Sequence, residues 1–132
     1  MVVMKLELKH LAGYLPYGLK MYFESLDGNK KSDWILSSDT IEFALNNQNK
    51  PILRPLSYLT KEIEVNGEKF VPLIKLQSKG YNMNFDEEYT FDDFIKGDIL
   101  NNSYGFIELL LEWHFDIYGL IENNLAINKN TL

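Results

Sequence analysis

The chain of 132 residues has no cysteine and a single arginine, Arg54. The absence of cysteine excludes disulfides, thiolate zinc sites and cysteine nucleophiles. No apolar run reaches the roughly 20 residues that a membrane-spanning helix needs, so we expect no membrane partner. The first residues, Met1–Lys5, run into alternating charges and not into an apolar signal core, so we expect no secretory signal peptide and a cytoplasmic location.

The sequence also lacks the motifs of the common enzyme classes. It has no Gly-x-Ser-x-Gly elbow for a serine nucleophile and no glycine-rich phosphate loop. The acidic residues between 86 and 93 do not follow the calcium-loop pattern of alternating ligands with a central glycine. We therefore expect no cofactor, no metal and no enzymatic activity.

The negative charge is concentrated in one part of the chain. The net charge is −6, yet residues 1–66 are neutral, with eight basic and eight acidic residues. Residues 85–122 hold ten acidic residues and one basic residue, Lys96, which gives −9. No basic stripe that could neutralise phosphates is visible, so we expect no direct contact with nucleic acid. The acidic stretch either keeps a small protein in solution or attracts a basic protein surface.

Alternating apolar and polar residues predict strands, most of them in the first half. The predicted strands are residues 4–11, 19–25, 34–38, 40–45 and 70–76, and residues 50–55 are expected to be extended because the residue before a proline avoids the helical region. Asp27-Gly28-Asn29 is a strong turn signal, so the second and third of these strands should form a hairpin, with the loop extending through Asp33. Pro72 places the last predicted strand at a sheet edge or a bulge.

Two short helices are predicted from apolar spacing in the middle of the chain. Leu56, Leu59 and Ile63 fall at spacings of three and four, which predicts a helix over residues 56–64. A loop over residues 78–90 then precedes a short helix over 91–95, which should stop near Gly97.

The strongest helical pattern runs from Ser103 to Glu122. Glu108, Glu112 and Asp116 repeat every four residues, while most other positions are apolar, which predicts a central helix with one acidic stripe in water. We therefore predict one α+β domain spanning residues 1–132. It should have a small antiparallel sheet from the N-terminal half, helices packed on one face and a long C-terminal core helix.

The two histidines, His10 and His114, are the remaining candidates for chemistry. On a helix, His114 and Asp116 would point in different directions, which makes them poor co-ligands for a metal. The tyrosines and Phe85 either belong to the core or form a protein-binding face, where aromatic rings anchor and acids steer.

Three stretches of the chain carry a resemblance to other proteins. They read HLAGYLPYGL at 10–19, KPILRPL with NGEKFVP within 50–72, and WHFDIYGLIE with a final NTL within 113–132. Together they resemble a group of small proteins encoded by phages and prophages, over about half of the chain. Residues 24–48 and 77–102 fall outside the resemblance. It implies a phage context inside a bacterial host cell and transfers no catalytic residue.

We therefore expect a non-enzymatic phage accessory protein that binds a host protein with a basic surface. A defence nuclease that handles nucleic acid is the natural example, which would make the chain an acidic inhibitor similar to anti-CRISPR proteins. The expected partner-binding residues are all acidic: Asp86, Glu87, Glu88, Asp92, Asp93, Glu108, Glu112 and Asp116. Two alternatives stay open: a phage structural, assembly or genome-maintenance protein, and an unrecognised enzyme that uses His114 or His10.

Overall fold

The structure, a computed structural model, describes residues 5–46 and 49–131. It confirms the α+β class. The helices are α1 (Leu8–Ala12), α2 (Ile41–Ala44), α3 (Pro72–Ser78), α4 (Phe91–Asp93) and α5 (Tyr104–Glu112). The strands are β1 (Lys20–Glu24), β2 (Lys31–Ile35), β3 (Asn49–Leu53), β4 (Ile63–Val65), β5 (Glu68–Phe70) and β6 (Ile127–Asn128).

The main sheet has four strands in the order β2-β1-β3-β6. The hairpin of β1 and β2 is confirmed, but β2 begins at Lys31, opposite Glu24, so three residues assigned to the loop belong to the strand. Strand β3 pairs antiparallel with β1 and parallel with β6. The sheet is therefore mixed and not antiparallel as predicted, because β6, from the far end of the chain, runs in the same direction as β3.

One face of the sheet packs on the apolar core, whereas the other is exposed at the hairpin and covered at Ile52 of β3. Met21 and Leu53 have no exposed surface, and they join buried side chains of the helices, such as Leu110, in one apolar cluster. On the opposite face Lys20 and Asp33 form an exposed ion pair at 3.9 Å across the hairpin. The apolar cluster that joins sheet and helices therefore lies on the face that carries Met21 and Leu53.

Three predicted strands are wrong because they contain helices. Residues 8–12 form α1, while Met4, at the start of that predicted strand, lies outside the described residues. The predicted strand at 40–45 is α2, and the one at 70–76 ends β5 and begins α3. Pro72 occupies the first turn of α3, where its missing N–H breaks no helical bond. An alternation this short fits a single helical turn equally well.

The predicted helix over 56–64 divides into two elements. A 3₁₀ turn covers Leu56–Thr60, and Ile63 starts β4. Asn66 and Gly67 join β4 to β5 with φ angles of 51° and 85°. Two consecutive positive φ angles are typical of a tight type I′ hairpin turn.

The predicted short helix at 91–95 is confirmed and continues further along the chain. After α4, the turns widen over Phe94–Asp98 and tighten to a 3₁₀ turn over Ile99–Asn101, so Gly97 does not stop the run. The preceding segment from Lys79 to Thr90 has no helix or strand, in agreement with the predicted loop.

The long C-terminal helix is wrong beyond its first half. Helix α5 ends at Glu112, and His114 then adopts a φ of 61°, which is uncommon for a residue other than glycine. The chain continues extended beside Arg54, which donates its N–H to the His114 oxygen at 2.8 Å and accepts the N–H of Asp116 at 2.9 Å. A buried extended segment and a buried helix share the same apolar pattern, so this pairing could not be read from periodicity.

Candidate functional site

Three predicted acidic residues lie together in an exposed turn. Asp86, Glu87 and Glu88 are all exposed, and the Asp86 carboxylate accepts the backbone N–H groups of Glu88 at 2.9 Å and Tyr89 at 2.7 Å. The Asp86 side chain therefore shapes the turn. Within the described residues, no ion pair involves Glu87 or Glu88. We call residues 86–93 the acidic turn.

The acidic turn ends in a capped helix start. Thr90 accepts the N–H of Asp93 at 3.2 Å, and the Asp93 carboxylate accepts the N–H of Thr90 at 3.1 Å. These two bonds form a capping box, and the bond from the Thr90 backbone holds the pKa of Asp93 below its ordinary value. Asp92 forms an ion pair with Lys96 at 2.7 Å, in which both side chains are exposed.

Asp98 also belongs to this surface, although it is not among the predicted partner-binding residues. It accepts the hydroxyl of Tyr89, and this hydrogen bond raises the pKa of Tyr89 to about 12. The two residues lie nine positions apart, across a loop and a helix start, so no local spacing rule brings them together. A hydrogen bond of this kind closes the acidic turn onto the helical run that follows.

Aromatic rings fix the acidic turn to the core. The Phe85 ring lies 5.5 Å from the rings of both Phe91 and Phe94, and 6.2 Å from that of Tyr89. Phe94 in turn contacts Phe106 of α5 edge to face at 6.0 Å. The segment that carries the exposed carboxylates is therefore anchored by packed aromatic rings, which we call the aromatic base.

Glu108 and Glu112 lie on α5, in agreement with the predicted helical spacing. Tyr104 lies four residues before Glu108 and eight before Glu112, on the same face, and is 79% exposed. Tyr17 donates its hydroxyl to Glu108 at 3.0 Å. Partial burial and then this bond raise the pKa of Tyr17 above its ordinary value. This face carries two tyrosines beside its two carboxylates, as protein-binding surfaces often do.

The predicted acidic stripe is wrong at Asp116. Its side chain is only 5% exposed, and its two oxygens accept the N–H groups of Leu120 at 2.8 Å and Ile121 at 2.9 Å. Burial raises the pKa of Asp116 above its ordinary value. Asp116 is therefore a structural residue that holds the turn after the extended segment. It shares no helix face with Glu108 and Glu112, because the helix ends before it.

Both histidine rings are held in structural hydrogen bonds. His10 is 3% exposed, accepts the N–H of Glu7 through Nδ1 at 3.0 Å and packs edge to face on Tyr118 at 5.4 Å. His114 Nε2 lies 2.6 Å from the Tyr17 carbonyl oxygen, so it must donate a proton there. Burial lowers the pKa of both rings. Each ring is therefore held by a backbone group, and the alternative of an enzyme that uses His114 or His10 stays a prediction.

The only guanidinium of the chain is buried. Arg54 is 6% exposed and donates to the carbonyl oxygens of Trp113 at 2.5 Å and Glu64 at 2.9 Å. Burial lowers the pKa of Arg54. It joins the end of α5 to strand β4, and it is not presented to an outside phosphate. Nothing in the local sequence around Arg54 distinguishes this role from an exposed one.

A groove of about 640 Å³ lies beside the acidic turn. One wall is the helical run from Asp92 to Leu100, the other is the turn from Asp116 to Asn123, and Pro55–Ser57 completes the lining. No sequence pattern predicts this groove, because its walls are distant in sequence and meet only in the fold.

In residues 5–46 and 49–131, no three histidine or acidic side chains converge as metal ligands. No helix in the same ranges is long and apolar enough to cross a membrane. No protein-family model, curated protein or solved structure matches the chain. The resemblance to phage proteins stays a prediction.

Proposed function

We propose that the chain is a non-enzymatic binding protein whose acidic surface engages a basic surface on another protein. The observation that carries the proposal is the acidic turn, in which Glu87 and Glu88 are exposed and take part in no ion pair within the described residues. Asp92 and Asp93 extend this surface. Glu108 and Glu112 add a second acidic face on α5, beside Tyr17 and Tyr104.

The way these carboxylates are held supports binding. Asp86 and the Phe85 ring fix the turn before any partner arrives, so little backbone freedom would be lost on association. Excess negative charge accelerates encounter with a basic surface, most strongly at low salt. A groove that holds a nucleic-acid backbone is such a surface. We therefore propose a host defence nuclease as the partner class, in the bacterial cytoplasm, as the resemblance to phage proteins implies.

The first test is capture from a lysate of phage-infected bacteria. The tagged full chain should retain a basic nucleic-acid-handling protein at low salt. It should lose this protein in about 1 M salt, where the Debye length is roughly 3 Å. Recovery of phage structural proteins, or only of further copies of the chain, would instead support a role in assembly or genome maintenance.

The second test locates the binding surface on the captured partner. Glu87→Gln combined with Glu88→Gln removes two exposed charges without touching the Asp86 bonds that shape the turn. We expect about fivefold weaker binding, from roughly 0.5 kcal/mol for each rim charge, and a shallower dependence on salt. Glu42→Gln combined with Glu62→Gln makes the same charge change at exposed positions elsewhere and should leave the affinity unchanged. Equal affinities for the two double variants would refute the role of the acidic turn.

A further inference from the structure

The groove beside the acidic turn has the size of a binding site. Its volume of about 640 Å³ lies inside the range of roughly 300–1,000 Å³ that is typical of ligand sites. Asp92 belongs both to the acidic turn and to the groove wall, so the charged surface leads directly into the groove.

Both walls of the groove present apolar side chains. Ile95 and Leu100 come from the helical run, and Tyr118 and Ile121 come from the opposite turn. Leu100 is 56% exposed, which leaves apolar surface in water that a partner side chain could cover. Covering it would gain free energy in proportion to the apolar area removed from water.

The charges at the groove are mainly negative. Among the described residues that line it, Lys96 is the one basic residue, and Asp92 on the same wall already pairs with it at 2.7 Å. Glu122 stands on the opposite wall, is exposed, and takes part in no ion pair among the described residues. Asp116 lines the groove as well, with its oxygens already bonded to backbone N–H groups. An anionic amphiphile would bring its charge against these carboxylates, whereas a cationic one complements them.

We propose that the groove binds a basic amphipathic segment of a partner protein. An apolar side chain of the segment lies between Leu100 and Ile121, and a lysine or arginine of the same segment pairs with Glu122. This inference rests on the proposed function and deepens it. The acidic turn attracts the partner, and the groove supplies the apolar anchor that charge alone lacks.

The probe is a synthetic helical peptide of about 14 residues, or four turns, with leucines along one face and lysines elsewhere. One matched peptide carries glutamate for every lysine, and another has the same composition with the leucines scattered around the helix. Each peptide is titrated into the isotopically labelled full chain while backbone amide signals are followed by NMR. Gly97 and Gly119 report on the groove, and Glu87 and Glu88 report on the acidic turn.

We expect the amphipathic lysine peptide to shift the amide signals of Gly97 and Gly119 and to bind more tightly than both matched peptides. Leu100→Ser should raise its Kd about fivefold, because part of a leucine-sized contact is lost. Glu122→Gln should raise it about threefold and reduce its salt dependence. Leu100 is more than half exposed, so we expect the thermal melt of the first variant to stay near that of the parent chain. Glu122→Gln tests the same site without touching the apolar wall.

Two results would overturn the groove proposal. Signal shifts confined to Glu87 and Glu88, with equal affinity for the scattered peptide, would mean that charge alone attracts basic chains. The proposed function would then stand without the groove. A lysine peptide that shifts no signal also refutes the groove proposal, whereas the proposed function is decided separately by lysate capture at two salt concentrations.

Discussion

Asp116→Asn is the substitution that best separates a buried structural carboxylate from an exposed acidic stripe. The two oxygens of Asp116 accept the N–H groups of Leu120 at 2.8 Å and Ile121 at 2.9 Å, inside the protein. Asparagine keeps one acceptor oxygen and turns its NH₂ group toward the other N–H. One hydrogen bond is therefore lost, and two donors face each other.

The magnitude follows from these two contacts. A hydrogen bond to a charged group contributes roughly 1.5–3 kcal/mol, and a buried donor without an acceptor costs roughly 1–3 kcal/mol. Removal of a buried charge offsets part of this loss. We expect a net decrease of about 2 kcal/mol in the free energy of unfolding at about pH 7, or about 6–10 °C in Tm for a chain of this size.

The pH dependence gives this prediction a second readout. Burial raises the pKa of Asp116 above 3.8, so the folded protein holds this proton to a higher pH than the unfolded chain does. The contribution of Asp116 to stability is therefore fully present below about pH 3.8 and falls as the pH rises through the folded pKa. The stability difference between the parent chain and Asp116→Asn should narrow from about pH 4 to about pH 7.

Thermal and urea unfolding, followed by circular dichroism, measure these differences. Glu112→Gln is the control, because Glu112 is exposed on α5 and should change stability by less than about 0.5 kcal/mol. If Asp116→Asn were as stable as the control at both about pH 4 and about pH 7, Asp116 would not be buried, and the predicted exposed stripe would be correct.

Two further predictions test contacts that the sequence did not reveal. Arg54→Met leaves the carbonyl oxygens of Trp113 and Glu64 without their donor. We therefore expect the free energy of unfolding, measured in urea, to fall by about 3 kcal/mol. A value within about 0.5 kcal/mol of the parent chain would contradict the buried role of Arg54. In a spectrophotometric titration, the Tyr89 phenol should ionise near 12, above its ordinary 10.0, because its hydroxyl donates to Asp98. The stabilisation of the fold by this hydrogen bond is present below about pH 10 and is lost as the pH rises through 12. Asp98→Asn should lower the pH at which the Tyr89 phenol is half ionised. An unchanged titration midpoint would show that the contact is absent.

The sequence predicted an element correctly where its turn carries residues with a strong preference for that turn. Asp27-Gly28 marked the first hairpin correctly, because the Asp27 carboxylate accepts the N–H of Asn29 at 3.0 Å and Gly28 takes a φ of 75°. The segments 40–45 and 70–76 carried no such signal. Their few alternating residues fit a strand and a helical turn alike, and tertiary packing decided in favour of the helix.

The C-terminal helix shows where periodicity alone fails. Every position from Trp113 to Ile117 reads as part of a core helix, apart from His114 and Asp116. The chain leaves the helix at His114 because the backbone of Arg54, about sixty residues away, pairs with the extended segment. No local rule contains that partner. The same break moves Asp116 from the expected stripe into the interior.

The candidate site also has one part that the sequence predicts and two parts that it does not. The acidic turn could be located from sequence, because Asp86, Glu87 and Glu88 are adjacent and must be exposed wherever the loop runs. The aromatic base and the groove could not, because Phe106 and the wall from Asp116 to Asn123 reach the turn only through the fold. Charge is a property of composition, whereas a site needs contacts between distant segments.

Solvation and attraction of a partner make different demands on the same carboxylates. An acid that only keeps the protein in solution needs exposure, and its position on the surface is unimportant. The two double variants, at Glu87 and Glu88 or at Glu42 and Glu62, each change the net charge from −6 to −4. If the acids act only as solvating charges, both variants should precipitate at the same concentration of ammonium sulfate and bind the captured partner equally. If the acidic turn attracts the partner, the precipitation points should still coincide, while only the turn variant loses affinity and salt dependence, because the two variants differ in where the charge was removed and not in how much.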